Sequence, residues 1–324
     1  MFIHQRSSQL RKNLAALLAA TVLTLPATAA PPPRQPSTSS ALQYEALPLI
    51  RSAQNHLLVR AEINGKPALL GVDSGAPVSA IALNRRAYFG MAPISSKSSL
   101  PSRLSINGAF NSVAIAHNLR LGALNLVDEP MVLVDLGGMR HSSKRDEIDG
   151  ILGADILFPT KALLDCQRQI LVLKINPSVP GRIPGFDFSG FRSIPMHVSE
   201  GFNLYVDGSV NGQKAKLMVD TGAFTTLLHS RFVRRMRIPM RDTPFSSSGV
   251  NLKQRGVQMA TIARFSIGSM DMRDKDVGVI NLEGLIHGGL LDASPPVAGL
   301  LGSEILRRHH GIIDFGTKTL YLKR

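Results

Sequence analysis

The chain is built from the same pattern used twice. Leu57-Leu58-Val59, Asn64-Gly65 and Leu69-Leu70-Gly71-Val72-Asp73-Ser74-Gly75-Ala76 recur as Leu204-Tyr205-Val206, Asn211-Gly212 and Leu217-Met218-Val219-Asp220-Thr221-Gly222-Ala223, at a constant shift of 147. Leu121-Gly122 recurs as Ile267-Gly268 at a shift of 146, and Gly150 to Leu157 recurs as Gly299 to Leu306 at 149. Asp165 with Ile170 to Leu173 recurs as Asp314 with Thr319 to Leu322, again at 149. Collinear blocks in one order mean two copies of a unit of roughly 130 residues, an ordinary domain size. Whatever one half folds into, the other half must fold into as well.

Each copy has the character of a β domain. Asn64-Gly65 and Asn211-Gly212 sit between apolar runs, the strongest short-range hairpin signal. Short apolar or alternating runs are punctuated by Gly, Pro and Asn every 8 to 12 residues or so, the spacing of sandwiches and barrels. Helical signals are confined to Leu83 to Phe89, Ser230 to Ile238 and the stretches after Gly153 and Gly302. The expected division is a first lobe over 49–176, an interlobe linker over 177–194 that is rich in Pro and Gly, and a second lobe over 195–324.

The N-terminus is of a different kind. Arg6, Arg11 and Lys12 precede an apolar run from Leu14 to Leu25, followed by Pro26 and Ala27-Thr28-Ala29-Ala30. That order is a secretory signal pattern over residues 1–30, and the run is too short to span a bilayer. An uncleaved N-terminal anchor is the alternative. Residues 31–48, Pro/Ser-rich and without period, are expected to be a tether. Export implies a periplasmic or secreted protein, and one Cys gives Cys166 no disulfide partner, so it is expected to be a buried small apolar residue.

Composition excludes more than it assigns. With 44% hydrophobic and 19% charged residues the chain is neither disordered nor fibrous. Loss of residues 1–30 would lower the formal net charge from +14 to +11, which favours anionic surfaces or acidic peptides. Nucleic acid is a poor partner, because four Tyr and no Trp leave little surface on which bases can stack.

Asp73-Ser74-Gly75 and Asp220-Thr221-Gly222, each at the end of an apolar strand and each followed by a Gly-x-Leu-Gly block, resemble the aspartic protease superfamily of pepsin-like and retroviral enzymes. The resemblance covers about residues 49 to 324. It implies a mainly β, bilobal acid-protease-like fold, with two β-barrel lobes related by a pseudo-twofold axis. At that axis Asp73 and Asp220 would meet within about 3 Å, where like charges cannot both ionise. One carboxylate would draw a proton from a water held between them while the protonated partner hydrogen-bonds the scissile carbonyl, with no metal and no cofactor. By the same resemblance Ser74 and Thr221 lock the two loops together, and Gly153 and Gly302 let an apolar strand pass behind each loop. Gly75 and Gly222 permit close backbone approach, with N–H groups facing the carboxylates.

Both loops continue with Ala, at Ala76 and Ala223, as in the retroviral enzymes. A hydroxyl there would lower a carboxylate's pKa, so Ala implies activity at weakly rather than strongly acidic pH. Flap tips are expected at Ile106 to Phe110, around Gly108, and at Ser247 to Val250, around Gly249. Neither carries a Tyr, which leaves substrate contact to the backbone.

Other motifs resolve less sharply. His141 and His287 fall at matching places but lack repeated acids, and His309-His310 are adjacent, so ordinary loop histidines fit better than zinc ligands. Gly311 to Thr319 grazes a phosphate-loop pattern and fails it, since Lys does not follow the second Gly. The run Arg231, Arg234, Arg235, Arg237, Arg241 suits a solvated helix face or an anionic envelope surface. The expected activity is that of a monomeric aspartic endopeptidase acting on peptide or protein substrates. The alternatives are a catalytically silent module that grips extended peptides by strand addition and an envelope scaffold using the basic face.

Overall fold

Asn64 and Gly65 both take left-handed backbone, with φ of 49° and 76°, and so do Asn211 and Gly212, at 47° and 85°. Two such residues in succession make a two-residue hairpin turn whose twist matches its strands. The turns pair Ile63 with Lys66 and Val210 with Gln213, and each hairpin starts a barrel. The structure, a computed structural model, describes residues 43–94, 113–136, 148–178, 180–199, 202–244, 246–249, 252–288 and 290–324. The expected signal segment 1–30, the tether up to residue 42, Gly108 and His141 lie outside the described residues.

The strand order in the first lobe is Leu57–Ile63, Lys66–Val72, Gly150–Leu152, Ala80–Ala82, Leu124–Val134, Val113–Leu121, and the last strand returns to the first through Leu119 and Ile63. The second lobe repeats it with Leu204–Val210, Gln213–Val219, Gly299–Leu301, Leu227–His229, Met270–Ile280 and Gln258–Ile267, closed through Ile267 and Gly208. The protein is therefore mainly β, with two six-strand barrels. Burial repeats as well as order. Leu57–Ile63 and Leu204–Val210 bury the same positions one for one, and so do Leu124–Val134 and Met270–Ile280. Period-two alternation thus sends equivalent apolar side chains into equivalent cores.

The lobes share a sheet. Six strands stand side by side as Phe191–Pro195, Thr319–Lys323, Ile312–Asp314, Leu163–Asp165, Ile170–Lys174 and Tyr44–Arg51. The order is a palindrome of the duplication, and its centre is the antiparallel pairing of Ile312 with Asp165 and Asp314 with Leu163. The repeated acids serve this seam. Asp165 accepts N–H bonds from Gln167 at 3.0 Å and Arg168 at 2.8 Å, and Asp314 accepts one from Thr317 at 3.0 Å. Each closes a turn that its own strand enters.

Three expectations are corrected. Tyr44–Arg51 is a strand paired with Ile170–Lys174, so residues 44–48 are not tether: Leu47 and Leu49 alternate into the core on either side of Pro48. Phe191–Pro195, expected in the linker, pairs with Thr319–Lys323 as the outer strand of the seam. The helix expected over Leu83 to Phe89 shrinks to a 3-10 turn at Leu83–Arg85. The remaining helices are short: Ala154–Leu157, Ser230–Arg235, Glu283–His287 and Ser303–Arg308. Cys166 is buried, and burial pushes its thiol up to about 12, so it stays protonated and inert.

Gly150 and Gly299 are where a third strand is threaded between two others. A Cβ on Gly150 would collide with the Ala80 carbonyl, and one on Gly299 with the Leu227 carbonyl. Gly150→Ala and Gly299→Ala are expected to cost about 1–3 kcal/mol each as overpacking. Thermal unfolding measures this, and a variant as stable as the wild type would show that the close approach is not there.

Candidate active site

Two strands deliver the acids. Lys66–Val72 ends at Asp73 and Gln213–Val219 ends at Asp220. Beneath each loop runs the threaded strand: the Asp73 N–H donates to the Leu152 carbonyl and the Asp220 N–H to the Leu301 carbonyl, both at 3.0 Å. Gly153 and Gly302 follow directly. A Cβ on Gly153 would lie 2.7 Å from the Val78 carbonyl carbon, and one on Gly302 would strike the Thr225 backbone, so only Gly fits behind the loops.

The loops are tied across the lobes by a reciprocal exchange. The Ser74 hydroxyl donates to the Val219 carbonyl at 2.8 Å and accepts the Thr221 N–H at 3.1 Å. The Thr221 hydroxyl donates to the Val72 carbonyl at 2.8 Å and accepts the Ser74 N–H at 2.9 Å. Both side chains are buried, and each donates one hydrogen bond and accepts one across the lobes. The Ser303 hydroxyl adds a bond to the Thr221 carbonyl at 2.7 Å.

This exchange brings Asp73 and Asp220 into hydrogen-bond contact with one another. Gly75 and Gly222 form the cradle. The Gly75 N–H donates to Asp73 Oδ1 at 2.8 Å, and Asp220 Oδ1 accepts N–H bonds from Gly222 at 2.9 Å and Ala223 at 3.0 Å. Each glycine also faces the opposite lobe's acid: a Cβ on Gly75 would sit 2.6 Å from the Asp220 carboxyl, and one on Gly222 would overlap that of Asp73. Their N–H groups are taken by the carboxylates, so contact with a bound peptide would fall to their carbonyls.

Both carboxyls are pushed above the ordinary range, first of all by burial. Asp220 is raised further by the charge of Asp73, while the Gly75 N–H and the charge of His56 hold Asp73 down. Two carboxyls so placed share one proton. The positions shifted by 147 break the symmetry: where the first copy has His56, the second has the neutral Asn203.

A second tier of support went unread in the sequence. The Ser79 hydroxyl and N–H donate to the two oxygens of Asp155 at 2.7 and 2.8 Å, and the Gly153 N–H donates to Ser79 Oγ at 2.9 Å. In the second lobe the Thr226 N–H donates to Glu304 at 2.8 Å and the Gly302 N–H to Thr226 Oγ1 at 3.1 Å. Hydroxyls at 79 and 226 and acids at 155 and 304 stand at the shifts of the duplication, the signal that could have found them. Gly249 lies in a hairpin of Ser246–Gly249 with Leu252–Arg255, where it pairs with Leu252 at the last step before the turn. His287 approaches Glu283 at 3.6 Å on the surface, and His309 faces the Lys323 carbonyl at 3.0 Å.

Two family models match the sequence, one in each lobe. "Aspartyl protease" covers residues 59–156 and "gag-polyprotein putative aspartyl protease" covers residues 206–308. Among solved structures the chain is similar to the aspartic proteinase from Irpex lacteus, at 15% identity and a TM-score of 0.47, over 86% of this chain and 97% of that one. It is also similar to Basic 7S globulin from soybean, at 9% identity and a TM-score of 0.46, over 87% and 95% of the two chains. No curated protein matches the sequence.

Ser74→Ala strips partners from the Val219 carbonyl and the Thr221 N–H inside the seam. The expected cost is about 1–3 kcal/mol, the scale of a buried group left unpaired, and Ser74→Thr should recover most of it. Denaturant unfolding reads both variants, and a Ser74→Ala protein of unchanged stability would show that the exchange does not hold the loops.

Proposed function

We propose, for a chain that belongs to the aspartyl protease family through a domain in each lobe, that it is an endopeptidase using Asp73 and Asp220 as one acid–base pair. The observation that carries this is the pair of half-buried carboxyls in mutual contact, held by glycine N–H groups and both raised above the ordinary range. A peptide carbonyl entering between the lobes accepts a hydrogen bond from the protonated member of the pair, and the ionised member takes a proton from the attacking water. Collapse of the tetrahedral adduct passes a proton to the leaving amine and returns the pair to its starting state. No covalent enzyme intermediate forms, and the chemistry calls for neither metal nor cofactor.

Further features support the setting. One chain supplies both acids, so a single copy suffices for activity. The basic, apolar and small-residue order of residues 1–30 supports export to a periplasm or to the medium. The hairpin of Ser246–Gly249 and Leu252–Arg255 suits a cover that grips an extended peptide by its backbone.

Asp73→Asn and Asp220→Asn are expected to lower kcat by about 10²–10⁴-fold with peptide affinity retained, as read by cleavage of a peptide library alongside fluorescence anisotropy. A wild-type protein that binds peptides and cleaves none would instead be a silent peptide-binding module.

The pH profile follows from the direction of the shifts. Activity is lost when acid protonates both carboxyls and when base removes the proton they share, and burial raises both limits above ordinary carboxyl values. The rate should therefore peak at weakly acidic pH, and a maximum below about pH 3 would contradict it.

A further inference from the structure

A groove of about 630 Å³ opens where the two lobes meet. Asn55 and Gln167 line it from the first lobe, and Phe224, Glu304, Arg307, Arg308 and His310 from the second. Along the chain its lining comes close to the acid pair. Phe224 lies four residues beyond Asp220 and is 56% exposed, and Asn55 precedes His56, whose charge acts on Asp73.

The groove carries two guanidinium groups against the single carboxylate of Glu304. Among the described residues neither Arg307 nor Arg308 has a carboxylate within ion-pair distance. Glu304, on the same helix, is engaged by the Thr226 N–H and by Lys275 at 3.0 Å. Arg51 reaches Asn55 Oδ1 at 2.7 Å and the Cys166 carbonyl, and the positive charge of Arg307 acts against its guanidinium. Like charges are thus held together at a site open to a ligand, an arrangement that an anion relieves.

We propose that this groove is an arm of the peptide-binding cleft that selects an acidic residue of the substrate. An Asp or Glu carboxylate takes the planar guanidinium forks of Arg307 and Arg308, and an apolar neighbour in the peptide lies on Phe224. The aromatic wall, four residues along the chain from Asp220, favours a peptide over a phosphate-rich or sugar polyanion, which has no use for Phe224. The inference rests on the proteolytic reading and adds the substrate class.

The test compares matched peptides that carry Glu or Gln at each position flanking the scissile bond. Cleavage should favour Glu by about tenfold in kcat/KM at one position, through KM, and the preference should shrink as salt screens the pairing. In the Arg307→Gln, Arg308→Gln double variant the Glu-to-Gln ratio should fall to about one, and Arg307→Glu, Arg308→Glu should turn the preference toward Lys. Equal cleavage of Glu and Gln peptides by the wild type, or a ratio unchanged in the double variant, overturns the selectivity and leaves the protease standing. Cleavage of neither peptide overturns the protease instead. Fluorescence anisotropy of the Glu peptide on the wild type against the double variant then still reads the groove, with weaker binding to the variant in favour and equal binding against. Displacement of both peptides alike by polyphosphate, without a Glu preference, also counts against it.

Discussion

Two side-chain hydroxyls hold the centre of this molecule together. Ser74 and Thr221 each give a proton to the carbonyl that ends the other lobe's strand and each take the other's N–H. Without them Val72 and Val219 would present buried, unpaired carbonyls at the seam, at a cost comparable to that of losing a hydrogen bond outright. The exchange also fixes the distance between two groups that repel when both are ionised. Burial alone would favour keeping both acids protonated, and water would favour separating them. Only a tie made by neighbouring residues of the same loops can hold a carboxylate and a carboxylic acid side by side.

The backbone is a near-perfect duplicate, but the chemistry around it is not. His56 stands opposite Asn203 in the repeat, Pro77 opposite Phe224, and Asp155 opposite Glu304. A symmetric pair of acids would share its proton without preference. Here His56 lies in the surroundings of Asp73 where the repeat puts neutral Asn203, so the two acids do not have identical neighbours. The same divergence puts an aromatic ring and a guanidinium-rich helix end in the second lobe only. Duplication supplies the frame, and substitutions a few residues from the repeated motif break its symmetry.

Much of the frame was legible because the signals were redundant. Asn-Gly turns, strand-ending Asp and close-packed Gly at one spacing gave two readings of each element. The misses have physical causes. Pro48 and the Ser-rich residues before it hide an alternation in which Leu47 and Leu49 face the core, and Phe191–Pro195 is a strand because Thr319–Lys323 offers it an edge. Neither fact is local. The helix Glu283–His287 is only five residues long, and its following turn packs Leu290 against the first lobe and Leu291 into the second. The supporting pairs of Ser79 with Asp155 and Thr226 with Glu304 were visible only as polar residues matched between copies, whereas the apolar matches drew the eye. The groove is built from four separated stretches of chain, and no single motif announces it.

The palindromic seam also governs the order in which the polypeptide can finish folding. Every strand of the first barrel has been made once residue 152 is in place, yet Leu163–Asp165 has its outer neighbour only when Ile312–Asp314, far later in the chain, arrives beside it. Until then the half-made protein presents an unpaired apolar edge, the kind of template on which strands from other chains add. A nascent chain of this design therefore needs a companion to shield that edge, or a rate of elongation fast enough to outrun self-association.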